Sequence, residues 1–233
     1  MTLLMIMLSG ECAAYGAKLA IMPVQIDLST KKPTSIIRVA NDGNTRSIIQ
    51  IDLVSWQQGK EGDMYESTED LLAVPTLFEL EPGEKQLIRI GLRKPPEPDN
   101  ERAYRLYFAE VPDESVPKEG AVRVLLRIGV PVFVLPNLPA TPALEWKASC
   151  VKGKLRLAGT NVGNVNTRIL GLSLVRSTDK KELAQLKSAG TILAGAERLW
   201  EFGVPECLME GSTIELLAQT LKGPLNAQIM LGR

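Results

Sequence analysis

The chain has 233 residues, 45% hydrophobic and 23% charged, with Lys plus Arg equal to Asp plus Glu at 27 each and no histidine. Balanced charge removes any global field toward nucleic acid or anionic lipid. Without histidine there can be no Ser-His-Asp or Cys-His nucleophile pair and no His-ligated zinc or copper site. The expectation is a non-enzyme with no metal, cofactor, nucleic-acid or small-molecule partner.

Residues 1–16 read "MTLLMIMLSGECAAYG". The apolar run Leu3–Leu8 and the small residues before Ala17 have the form of a secretory signal, although no Lys or Arg precedes the run. Export would remove Cys12 and leave Cys150 and Cys207. These read either as one disulfide in an oxidising compartment or as two buried thiols.

From there the hydrophobic period is two. "LAIMPVQIDL" (19–28), "TSIIRVA" (34–40) and "SIIQIDLVSW" (47–56) alternate as strands, with an Asp-Gly turn in "NDGNT" (41–45). "QQGKEGDMYESTED" (57–70) reads as a polar loop. "LFELEPGEKQLIRIGL" (77–92) reads as two strands about a Pro-Gly turn, and "AYRLYFAEV" (103–111) as another strand. "LPNLPATP" (135–142) carries three prolines and reads as a stiff connector. Alternation then resumes in six segments. "KELAQLKSAG" (181–190) is compatible with a short helical turn. The reading is all-β: two immunoglobulin-like sandwich domains set at an angle, 17–136 and 137–233, after a signal segment at 1–16.

One stretch stands apart. In "AVRVLLRIGVPVFV" (121–134) every even position from Val122 to Val134 is aliphatic. Fourteen extended residues span about 45 Å, far beyond the usual strand of about 5–6 residues. The stretch reads as a core strand or as an edge offered to another protein.

Catalytic motifs fail on their context. "STKK" (29–32) matches the bare S-x-x-K pattern but sits in a turn without its companion motifs. "GTNVGN" (159–164) lacks the Lys of a phosphate loop and reads as a hairpin. Glu79, Glu81 and Glu84 surround a turn, where exposed charge is the default.

Four segments, in order, carry a resemblance: "PVQIDLS" (23–29), "TLFELEPGEKQLIRIGLR" (76–93), "NERAYRLYFAEVP" (100–112) and "VRVLLRIGVPVFVLP" (122–136). The first domain resembles the periplasmic chaperones of the chaperone–usher pilus pathway, in particular the branch serving archaic or spore-coat-like pili. The resemblance implies a periplasmic protein that caps pilin or spore-coat-like subunits by donating a strand and passes them to an outer-membrane usher. Val122, Val124, Leu126 and Ile128 are then the donor side chains. Many relatives clamp the subunit's terminal carboxylate between an Arg on the first strand and a Lys after the donor strand. Here those positions hold Gln25 and Pro131, and Arg127, Arg123, Arg38 and Arg89 are the cations available instead. Glu101 takes the family's domain-bridging acidic position, although Leu135 stands where its Arg partner is expected. The competing reading is a two-domain structural or adhesive surface protein, which requires Val122–Ile128 to be buried in the chain's own sheets.

Overall fold

The computed structural model describes residues 18–59, 61–97, 99–112, 124–205 and 207–232, and every regular element among them is a strand. The first half holds β1 (Leu19–Met22), β2 (Ile26–Leu28), β3 (Thr34–Asn41), β4 (Ser47–Gly59), β5 (Gly62–Ser67), β6 (Leu71–Val74), β7 (Leu77–Leu80), β8 (Lys85–Leu92), β9 (Arg102–Val111) and β10 (Arg127–Val134). They form a four-stranded sheet, β1-β3-β8-β6, facing a six-stranded sheet, β2-β10-β9-β4-β5, with β7 also paired to β4. Alternation explains the packing. In β8, Ile88 and Ile90 are fully buried while Leu87 and Arg89 point to solvent. Ile37, Val39, Ile49, Leu106, Phe108 and Val132 close the core from the facing strands.

The first strand changes sheets. β1 pairs with β3 in one sheet, the chain turns through a cis Met22–Pro23 bond, and β2 pairs in parallel with β10 in the other. This detour leaves β2 beside only part of β10.

The second half holds β11 (Leu144–Val151), β12 (Lys154–Asn161), β13 (Thr167–Arg176), β14 (Glu182–Leu186), β15 (Gly190–Ile192), β16 (Glu197–Gly203), β17 (Thr213–Thr220) and β18 (Gly223–Gly232). The eight strands wrap one core as a continuous sheet, joined by a short parallel contact of Ala148–Ser149 with Leu231–Gly232. Cys150 on β11 is disulfide-bonded to Cys207.

Both halves contain the same turn. Asn41 and Asn161 are completely buried. Each side-chain amide donates to two carbonyls, Thr45 and Leu80 in one case and Val165 and Ile192 in the other. Each side-chain oxygen accepts the N–H of the glycine two residues on, Gly43 or Gly163, at 3.0 Å. "NDGN" and "NVGN" are thus one buried Asx turn used twice, because a buried amide is tolerated only when its hydrogen bonds are supplied.

Four sequence expectations differ from the structure. The 159–164 segment is not a hairpin, because the flanking β12 and β13 do not pair with each other. The 57–70 loop is largely a β-hairpin, with β4 running on to Gly59 and pairing with β5. All six β5 residues are exposed, so no alternation marks the strand. The stretch 181–190 is extended as β14 and the start of β15, not helical. The fourteen-residue strand is described as a ladder only from Arg127, with an isolated bridge at Val124, while 113–123 lie outside the described residues.

Candidate functional site

β10 pairs with β9 along its whole length, from Arg127 opposite Ala109 to Val134 opposite Arg102. On its other side it meets β2 only over Val132–Val134. From Arg127 to Pro131 that edge carries no paired strand among the described residues. A bare edge exposes backbone donors and acceptors and is a template for another strand.

The side chains along this edge grade from core to solvent. Val130, Val132 and Val134 are 3%, 0% and 1% exposed. Ile128, opposite the buried Phe108, and Leu126 are half-buried, whereas Val124 is 61% exposed. One aliphatic stripe therefore begins in the home core and runs out past its end. Val122 lies outside the described residues. At the exit Glu110 holds the segment. Its N–H donates to the Leu126 carbonyl at 2.8 Å, and its Oε2 accepts the Leu126 N–H at 3.3 Å.

The face of the same sheet turned away from the first core carries a row of aromatic rings and cations. The Arg105 guanidinium lies 4.0 Å from the Trp56 ring centroid, and that of Arg127 lies 3.9 Å from Tyr107. Tyr65 stacks on Trp56 at 6.5 Å and meets the edge of Tyr107 at 6.2 Å. Burial, with Asp63 nearby, pushes the Tyr65 hydroxyl up to about 12. Gly129 faces Tyr107, and a Cβ there would come within 2.8 Å of the ring. Neither Arg105 nor Arg127 forms an ion pair with a described residue, and Arg105 Nε is buried without a hydrogen-bond partner.

The two positions suggested for a carboxylate clamp come together. Gln25 and Pro131 immediately precede the paired residues Ile26 and Val132. Gln25 donates to Asp27 at 2.9 Å, and Pro131 has no N–H to give. The cation beside them is Arg105, the cross-strand partner of Pro131. Arg38 and Arg89 lie in the other sheet, on β3 and β8, and Arg123 is outside the described residues. The sequence reading missed Arg105. Its signals were an Arg on the non-core parity of β9 and a strand glycine, which marks close approach.

Among the described residues, Glu101 and Gln58 of the first half each hydrogen-bond to the second. Glu101 accepts the Asn166 N–H at 3.0 Å and its side-chain amide at 2.9 and 3.1 Å, while the Glu101 N–H donates to the Asn164 carbonyl at 2.9 Å. The partner is an amide rather than the cation of an ion pair. Burial therefore dominates and pushes Glu101 up to about 7 from its ordinary 4.5. Gln58 donates to the Thr191 carbonyl and accepts the Leu193 N–H, both at 2.9 Å. Trp56 and Phe133 of the first half pack into the second core.

The profile of the "Pili and flagellar-assembly chaperone, PapD N-terminal domain" family matches residues 18–139. A search of curated proteins gave no match. Among solved structures, the complex of CsuC with the tip adhesion subunit CsuE from archaic chaperone-usher Csu pili of Acinetobacter baumannii aligns at 20% identity. That match has a TM-score of 0.68 and covers 93% of this chain and 100% of the other. The E. coli chaperone DraB aligns at 17% identity and TM-score 0.62, covering 94% and 98%. The Salmonella enterica complex of the SafA pilin with the SafB chaperone aligns at 17% and 0.62, covering 92% and 98%. At these identities the structures establish a shared fold, and the profile spans more than half of the sequence: the chain belongs to the pilus and flagellar-assembly chaperones with a PapD-type N-terminal domain.

Proposed function

We propose that this chaperone works in the periplasm, caps pilus or coat subunits by lending them the β10 edge, and passes them to an outer-membrane usher. The observation that carries the reading is the aliphatic stripe that leaves the core at Val130 and reaches solvent at Val124 along an unpaired edge. The Acinetobacter and Salmonella structures are themselves complexes of a chaperone with a subunit. A subunit strand added to this edge gains ladder hydrogen bonds whatever its sequence. Val122, Val124, Leu126 and Ile128 fill its open groove and set the register. Burying four such side chains is worth on the order of 6–12 kcal/mol before the costs of association.

We read the face that carries the aromatic rings and arginines as the seat of the subunit's terminal carboxylate. Arg105 and Arg127 supply the charge that Gln25 and Pro131 cannot, and Gln25 adds a hydrogen-bond donor. Glu101 joins a first domain at 17–136 to a second at 137–233. No step here is catalytic. The adhesive-protein alternative requires the stripe to be buried, and Val124 at 61% exposure speaks against it.

The test is co-expression with a cognate subunit. The expected result is a one-to-one complex that Leu126→Asp abolishes while the variant's thermal melting is unchanged. A Leu126→Asp variant that still holds the subunit, or that unfolds alone, defeats the reading.

A further inference from the structure

The core-facing residues of β9 run Tyr104, Leu106, Phe108 and then Glu110. All four are buried, Glu110 at 8% exposure and opposite the fully buried Ile49 of β4. A carboxyl at such a position is rarely buried unless it is paired. One of its partners is the donor segment itself. The register of β9 with β10, Ile128 opposite Phe108 and Arg127 opposite Ala109, puts Leu126 opposite Glu110 one step further on. A regular antiparallel pair at that step exchanges both backbone bonds. Here one is kept and one is replaced. The Glu110 N–H donates to the Leu126 carbonyl at 2.8 Å, while the Leu126 N–H donates at 3.3 Å to the Glu110 side-chain Oε2. The regular ladder ends there, and Leu125 and Leu126 are not part of β10. The side chain thus stands in for the last backbone acceptor at the point where the segment leaves the home sheet.

That point needs fixing, because the side chains do not fix it. Val124, Leu125 and Leu126 are three successive aliphatics. Leu126 is half-buried and Leu125 is 43% exposed. A slip of one residue moves a strand's side chains to the other face. C-terminal to the break, Arg127 stacks on Tyr107 and holds its own parity away from the core. N-terminal to it, a one-residue bulge would exchange Leu126 for Leu125 with no change in apolar character. We propose that Glu110 is the positioning residue that sets the phase of the donor segment. By holding Leu126 through both its N–H and its C=O, it keeps Leu126 and Val124, rather than Leu125, on the face that enters the subunit. Glu110 acts through the backbone of Leu126. The proposal rests on the client reading and adds to it the residue that aligns the donor stripe.

The test has two arms, both on the full chain. In the free protein, amide hydrogen exchange at Leu126 should quicken by about tenfold or more in Glu110→Val. It should return toward the wild-type rate in Glu110→Gln, which keeps an oxygen at the same reach. A role confined to core packing would not single out the Leu126 amide. Glu110→Ala gives the same comparison should the valine variant not fold. With a cognate subunit, Leu125→Asp should leave the wild-type complex intact. On the Glu110→Val background the same change should weaken binding by about tenfold or more, because Leu125 then reaches the subunit face. An unchanged Leu126 exchange rate in Glu110→Val, or a Leu125→Asp that is equally harmless on both backgrounds, overturns the proposal. If the wild type forms no complex, the client reading and this proposal fall together. If it does and the Leu126 amide is unmoved, only the role of Glu110 falls.

Discussion

Arg105 stacks on Trp56, 4.0 Å from the ring centroid, and is the cross-strand partner of Pro131. The ring holds the guanidinium in place without neutralising it, which is the arrangement the proposed carboxylate seat requires. Arg105→Gln should weaken binding of a subunit with a free terminal carboxylate by about tenfold, about 1.4 kcal/mol. A subunit amidated at that end should bind wild type and variant alike. Titration calorimetry with both forms reads the difference, and an equal loss for both would remove Arg105 from carboxylate binding.

Gly129 leaves room for the Tyr107 ring, on which Arg127 stacks. Gly129→Val drives a side chain into that ring, an overpacking that typically costs about 1–3 kcal/mol. The expected outcome is a lower urea midpoint together with weaker subunit binding. Gly129→Val on a Tyr107→Ala background should recover part of the loss, because the clash is then gone.

Glu101 sets a pH dependence. Its carboxyl is held near 7 in the folded chain and is ordinarily at 4.5. Below the lower value it is protonated folded or unfolded and costs nothing. Between the two the unfolded chain ionises first, so stability falls as pH rises from about 4.5 to 7, and the loss is constant above that. Glu101→Gln keeps an oxygen to accept from Asn166 and carries no charge. Urea denaturation across this range should show a flatter pH profile for the variant than for wild type. Identical profiles would mean that the carboxyl titrates normally.

The Cys150–Cys207 bridge spans a sequence separation of 57 residues, and bridges of this kind typically stabilise by about 2–4 kcal/mol. Replacing both cysteines with serine should lower the unfolding free energy by that order. Subunit binding at 25 °C should be retained, because the β10 edge belongs to the other core. Loss of binding in a folded double variant would show that the second domain shapes the site directly.

Asn161→Ala removes two donated bonds and one accepted bond from a buried turn and strands their partners. The cost should be about 2–4 kcal/mol, and Asn41→Ala should match it in the first half. Thermal melting of the two single variants checks the equivalence.

Much of this architecture was legible because strands with one buried face advertise themselves by alternation. β8 and β9 were read correctly from period two alone, and the even-numbered stripe of 122–134 stood out for its length. Where neither face is buried, as in β5, the pattern vanishes and a hairpin reads as a loop. The ordered motifs from Pro23 to Pro136 pointed to the family. They could not place Arg105, because cross-strand register decides what stands beside Pro131, and register comes from the whole sheet's packing.

Composition alone excluded a histidine-dependent nucleophile pair and a histidine-ligated zinc or copper site, since the chain has no histidine. Parity determined which side chains share a face. What only the tertiary structure decided is where those faces end. The first strand leaves for the other sheet at Met22–Pro23, so the same aliphatic stripe is core at Val130 and open edge at Val124. Exposure depends on which strand lies alongside, and a residue's own type does not record its neighbour.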